Sequence, residues 1–132
     1  MKKITLLFDI DDTLVHENIN CFKKTKITGA LEGLSSDYKL GLFSQGFCNI
    51  QILKLKVANL YHFFSKDIIF ISHNKLKKLN DIFFAHPNII IIDNSKAVQK
   101  IANKLNIKFV LVSSRTTKDE LVKQINEISK YP

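Results

Sequence analysis

The 132-residue chain has no tryptophan, two prolines, four glycines and two cysteines. So little proline and glycine excludes collagen-like, low-complexity and linker-rich architectures, and no internal repeat is visible. Cys21 and Cys48 have neither CxxC nor metal-ligand spacing, which argues against a disulfide-stapled scaffold and leaves two reduced thiols as the expectation. The four histidines, His16, His62, His73 and His86, have no metal-type spacing either. No apolar run approaches the ~20 residues that a membrane-spanning helix needs, and the longest, IIII at 89–92, has the length of a strand. The first residues, MKKITLLFDID, open like a signal peptide but meet Asp9, Asp11 and Asp12 where an uncharged segment would continue. A cytoplasmic protein with no membrane partner is expected.

Arginine is nearly absent: Arg115 is the only one, so the net charge of +8 rests on lysine. A basic balance of this size can report a polyanionic partner such as nucleic acid. Phosphate recognition favours the arginine fork, however, and a chain rich in lysine, isoleucine and asparagine equally fits a general compositional bias. Both readings stand at this point.

What the chain does have is the 45% hydrophobic and 24% charged balance of an ordinary globular protein, at a length that suits a single domain over 1–132. Short runs rich in isoleucine, valine and phenylalanine, at 4–10, 38–44, 67–72, 88–93 and 107–113, alternate with longer helix-like stretches. The strand runs are almost continuously apolar, as parallel strands covered on both faces are. Helical spacing groups Phe47, Ile50, Leu53 and Val57 on one face. It also groups Leu76, Leu79 and Phe83, then Val98, Ile101 and Leu105, and finally Leu121, Ile125 and Ile128. Residues 15–37 are the least regular, with room for one short helix near 28–34. The rhythm predicts an α/β fold: a single-domain, Rossmann-like open parallel β-sheet of about five strands with helices on both faces.

In such sheets ligands bind beyond the carboxyl ends of the strands. Three of those ends carry polar residues that a buried strand does not need: Asp9, Asp11, Asp12 and Thr13 after the first; Ser44, Gln45 and Gly46 after the second; Asp93, Asn94 and Ser95 after the fourth. Each group alone reads equally well as turn or helix-cap chemistry, since Asp93 or Ser95 can cap the next helix. Their joint occurrence with a D-x-D-x-T spacing is harder to explain that way. Carboxylates gathered on one rim repel unless a cation joins them, and an oxygen-only donor set with room for water suits Mg²⁺.

These residues resemble the haloacid dehalogenase superfamily of phosphohydrolases, over nearly the whole chain from Ile4 to about Val112. LLFDIDDTL matches its first motif and LGLFSQG its second. GFCNIQILKLKVANLYHFFSKDIIFIS matches the stretch that follows, and IIIIDNS the fourth motif. The resemblance implies Asp9 as nucleophile, Asp11 as general acid/base, Thr13 as their orienting hydroxyl and Ser44 as a phosphate ligand. Lys77 is the better match for the family's lysine, with Lys75 and Lys78 left open. It further implies magnesium held by Asp9, the Asp11 carbonyl and Asp93, with Asn94 or water completing the shell. Gln45 stands where the family usually has Asn, and Asn94 where a second acid is common. DNS also occurs in the carboxy-terminal-domain phosphatases of the superfamily.

The separations of 35 positions from Asp9 to Ser44, and of 16 from Lys77 to Asp93, are too short for a cap domain of ordinary size. A capless member is therefore expected, with 15–37 supplying at most a flap. Its partner is expected to be a phosphorylated substrate (a small ester, a phosphoprotein or a nucleic-acid end), with a homo-oligomer as a further way to cover the site. A catalytically silent binding module is the contrasting expectation.

Overall fold

The alternation of strand and helix patterns is realised in full in the structure, a computed structural model that describes residues 3–18 and 21–131. Five parallel strands make the central sheet: β1 (Thr5–Phe8), β4 (Lys39–Gln45), β5 (Ile69–Ser72), β6 (Ile89–Asp93) and β7 (Lys108–Leu111). Their order is β5-β4-β1-β6-β7, so β1 lies at the centre with β4 and β6 on its flanks. Four fall within the apolar runs picked out in the sequence, and β4 extends one residue past its run, to Gln45. Between β1 and β4 the chain forms an antiparallel hairpin, β2 (Val15–Asn18) and β3 (Cys21–Lys24), a 3₁₀ turn and the short helix α1 (Leu31–Asp37). The helix placed near 28–34 thus begins three residues later, after the 3₁₀ turn, and the hairpin is an element the sequence pattern did not disclose. Helices α2 (Cys48–Val57), α3 (Lys75–Ala85), α4 (Lys96–Lys104) and α5 (Lys118–Ser129) complete the chain.

Side chains alternate across a strand, and the two cores follow that period. Leu6, Phe8, Leu40, Leu42, Ile90 and Ile92 face one layer, where they meet Leu31, Leu55, Leu121 and Ile125. Leu7, Phe43, Ile89 and Ile91 face the other and meet Leu79, Ile82, Val98 and Ala102. At Gly41 a Cβ would stand 2.5 Å from the Ile68 carbonyl oxygen, so the approach of β4 to the segment entering β5 requires glycine. The scarcity of glycine is met elsewhere by asparagine. Asn59 and Asn106 take the left-handed conformation after α2 and α4, with φ of 58° at each. There the Leu60 N–H closes onto the Leu55 carbonyl and the Ile107 N–H onto the Ala102 carbonyl, each at 2.8 Å. Of the two cysteines, Cys48 is an exposed free thiol, and the Cys21 side chain lies outside the described residues. No helix among the described residues is long and apolar enough to cross a membrane.

Helix α2 departs from its sequence pattern. Phe47, Ile50, Leu53 and Val57 do share a face, but it points to solvent, with exposures of 64%, 52%, 55% and 59%. The helix buries Gln51 and Leu55 instead. Polar anchoring at the sheet rim, described below, decides its rotation over apolar periodicity. Leu55→Ala is therefore expected to cost about 2–5 kcal/mol, and Leu53→Ala no more than about 0.5 kcal/mol. Urea unfolding of the two variants distinguishes the faces, and equal losses would contradict this orientation.

Candidate active site

The site is assembled where β1, β4 and β6 end side by side. β1 pairs with both neighbours in register, Phe8 opposite Leu42 and Ile92, so the residues just beyond are brought to one rim. Past β1 the chain makes a tight loop in which the Ile10 carbonyl accepts from the N–H groups of Thr13, Leu14 and Val15. Asp12 carries a φ of 61°, a left-handed conformation that Asp tolerates better than most residues. This loop turns Asp9 and Thr13 inward, leaves Asp11 about half exposed and sends Asp12 out to meet His16 at 3.2 Å.

Asp9 and Asp93 face each other across the β1–β6 pair, 8% and 0% exposed. Lys75 lies between them. Its Nζ donates to Asp93 Oδ2 at 2.7 Å, Asp9 Oδ1 at 3.1 Å and the Phe43 carbonyl at 3.4 Å, and it lies 5.0 Å from the Phe43 ring centroid. A charge this deeply buried persists only when paired. Lys75 is the first residue of α3, which fixes where its side chain enters. Lys77 lies 200° further round the helix and is exposed, as is Lys78. The lysine that meets the carboxylates is therefore Lys75, and Lys77, the better match by motif alignment, is not brought to the site. One turn of helix offers three lysines, and only the helix start determines which of them faces the sheet.

The remaining groups complete the rim. Thr13 Oγ1 donates to Asp9 Oδ2 at 3.3 Å. Asn94 satisfies all its neighbours with its amide nitrogen turned inward, donating to Asp93 Oδ1 at 3.1 Å, Asp9 Oδ2 at 3.2 Å and Thr13 Oγ1 at 3.3 Å. Ser95, not Asp93, caps α4 with its side chain, accepting from the Val98 N–H at 3.3 Å. That leaves Asp93 Oδ2 for Lys75, while its Oδ1 takes the Ser95 N–H at 3.0 Å. Ser44, at the end of β4, is fully buried. Gln45 is exposed and brings only its carbonyl to the cluster.

Two residues of α2 that sequence reasoning did not assign also belong here. Gln51 Nε2 donates to Ser44 Oγ at 2.9 Å and Asp11 Oδ2 at 3.0 Å, and Lys54 Nζ to Asp11 Oδ1 at 2.7 Å. The signal for them was Gln51 itself, a polar residue four positions before Leu55, at the border of the apparent apolar face of α2.

Burial, and then the neighbouring Asp93 charge, push the Asp9 carboxyl from its ordinary 3.8 up to about 6, and Lys75 only partly opposes the rise. Residual repulsion between two facing carboxylates is what a divalent cation relieves. The donors gathered here are all oxygens: the two carboxylates and, once its amide turns over, Asn94 Oδ1. Among the described residues no group of three or more His, Cys, Asp or Glu side chains is placed to hold a metal ion by itself. Oxygen donors without His or Cys suit a hard cation that keeps several waters better than zinc.

No family model and no curated protein sequence matches the chain. Among solved structures it is similar to a haloacid dehalogenase-like family hydrolase from Streptococcus pneumoniae. The TM-score is 0.67, and 92% of this chain and 90% of that one are covered at 15% identity. The chain has the haloacid dehalogenase-like fold. In this fold the Asp9 rim described above lies at the carboxyl ends of the central strands, where open α/β sheets bind their ligands.

The raised Asp9 value fixes a pH dependence. The folded state holds that proton more tightly than the unfolded chain, so its contribution to stability is full below about pH 4 and lost as pH rises through about 6. In metal-free protein, urea unfolding across that window is expected to show the decline, and Asp9→Asn is expected to abolish it. A slope that survives in Asp9→Asn would assign the titration elsewhere.

Proposed function

We propose that the chain is a magnesium-dependent phosphatase acting on a phosphate monoester through an aspartyl-phosphate on Asp9. The observation that carries this reading is the placement of Asp9: a buried carboxylate at the end of the central strand, faced by Asp93 and Lys75, with the second carboxyl of Asp11 on the same loop.

Asp9 attacks phosphorus with a carboxylate oxygen while the ester P–O bond breaks, and Asp11 gives its proton to the departing oxygen. Asp11, now a carboxylate, then takes a proton from the water that attacks the aspartyl-phosphate and releases Asp9. Ser44 donates its hydroxyl hydrogen to a phosphoryl oxygen. Lys75 offsets negative charge on the nucleophile and on Asp93, and Thr13 holds the Asp9 oxygen that Lys75 does not. Magnesium held by Asp9, Asp93, Asn94 and the Asp11 carbonyl would supply the positive charge that lets an anionic nucleophile approach a dianionic phosphate.

We read the chain as a capless member of the superfamily. The hairpin β2–β3 and α1 occupy the span between β1 and β4, and residues 86–88 alone join α3 to β6. A site of this kind takes a substrate large enough to cover it, or is covered by a second copy. The net charge of +8 favours a nucleic-acid end as one such substrate.

A screen of small esters, phosphopeptides and end-phosphorylated oligonucleotides, with magnesium and with chelator, tests the proposal. Turnover is expected only with the metal. Asp9→Asn is expected to abolish it, and Ser44→Ala to lower it about 10²–10³-fold. Undiminished activity in Asp9→Asn would refute the mechanism, and silence across the whole screen would favour a binding module that keeps the fold.

A further inference from the structure

We propose that Gln51 is the positioning residue that sets both the acid/base carboxyl of Asp11 and the phosphate-binding hydroxyl of Ser44; this rests on the reading of Asp11 given above. Gln51 is 2% exposed in the middle of α2, where an apolar residue would pack with Leu55 at no polar cost. Its Nε2 instead meets Asp11 Oδ2 at 3.0 Å, Ser44 Oγ at 2.9 Å and the Gln45 carbonyl at 3.2 Å. Two amide hydrogens thus serve acceptors from the ends of both β1 and β4. No other side chain among the described residues donates to both Asp11 and Ser44.

Each contact has a chemical consequence. The Ser44 oxygen accepts from Gln51, so the Ser44 hydrogen remains for a second acceptor, which on the proposed mechanism is a phosphoryl oxygen. On Asp11, Gln51 takes Oδ2 while Lys54 takes Oδ1 at 2.7 Å, which fixes the direction of a carboxyl that is otherwise 48% exposed on a loop. That direction decides whether the Asp11 proton reaches the leaving oxygen as the P–O bond breaks and its electron pair passes to that oxygen. The loop after β4 is shaped to the amide. Gly46 has a φ of +136°, and a Cβ there would stand 3.3 Å from Gln51 Cδ, so a side chain at this position would press on the group.

The leaving group separates positioning from mere packing. Nitrophenolate departs with little help from an acid, whereas an alkoxide needs the Asp11 proton. Gln51→Leu, which keeps the bulk and removes the donor, should lower kcat/KM for β-glycerophosphate at least about tenfold more than for p-nitrophenyl phosphate. Gln51→Asn, which keeps the amide but shortens its reach, should give a smaller selective loss, and it carries the test if Gln51→Leu does not fold. Asp11→Asn is the reference. If it shows the selective loss and neither Gln51 variant does, the Gln51 assignment is overturned while the mechanism stands. If Asp11→Asn shows no selectivity, or the wild-type chain hydrolyses neither these esters nor any phosphopeptide or end-phosphorylated oligonucleotide of the screen above, the reading of Asp11 fails and the inference fails with it. Equal losses on both esters in the Gln51 variants would reduce Gln51 to packing and phosphate binding.

Discussion

Two carboxylates withdrawn from water and facing each other, Asp9 and Asp93, impose the condition that the rest of the rim has to meet. In water their repulsion would be screened; at 8% and 0% exposure it is not. Lys75 relieves part of it by standing between them, which requires that α3 begin at that residue and over the end of β4. Ser95 takes over the capping of α4, so Asp93 is not used up by its own helix. Asn94 and Thr13 then donate to what remains of the two carboxylates. The arrangement still leaves Asp9 raised to about 6. A buried acid held part-way to protonation gains from any cation that approaches it, and this links the electrostatics of the site to the proposed metal.

The orientation of α2 is a second consequence of the same rim. An amphipathic helix ordinarily turns its apolar stripe to the core. Here the side that carries Gln51 and Leu55 faces inward, because hydrogen bonds from Gln51 and Lys54 to Asp11 tie the helix to the β1 loop. Leu55 supplies the packing, fully buried with Leu60 and Phe64 in the same core. Phe47, Ile50, Leu53 and Val57 are left outside as a result. Polar contacts with a few well-placed acceptors thus outweigh a four-residue apolar face, as is expected where burying Gln51 without partners would itself be costly.

This explains which parts of the chain were legible beforehand. The five strands were, because buried parallel strands carry an unbroken apolar run and β1, β4 and β6 end in residues that packing alone does not call for. Asp9, Ser44 and Asp93 were legible for the same reason, since a strand end projects its next residues to a known rim. The lysine was not, because Lys75, Lys77 and Lys78 differ only in helical phase, and the phase is set by a helix start that no capping side chain marks. Gln51 and Lys54 were hidden by the apolar stripe beside them, because helical periodicity marks that stripe, and not its polar neighbours, as the inward face. The hairpin of β2 and β3 has too few apolar residues to declare itself.

The two acids of the DxD pair show how one short loop can serve two tasks. Asp9 continues the central strand and inherits its rigidity: its oxygens are held by Lys75 and Thr13, and its N–H by the Ile92 carbonyl at 3.0 Å. Asp11 lies two residues on, past the point where the Ile10 carbonyl gathers three N–H groups, and it is half open to solvent. On the proposed mechanism these are the environments the roles require. A nucleophile must attack along one line and gains from being fixed, whereas a group that gives and regains a proton must stay in reach of water. Fixing the second acid without burying it takes donors from outside the loop, and α2 is the element whose Gln51 and Lys54 reach it. The inside-out helix and the split environments of the two aspartates are thus a single structural solution.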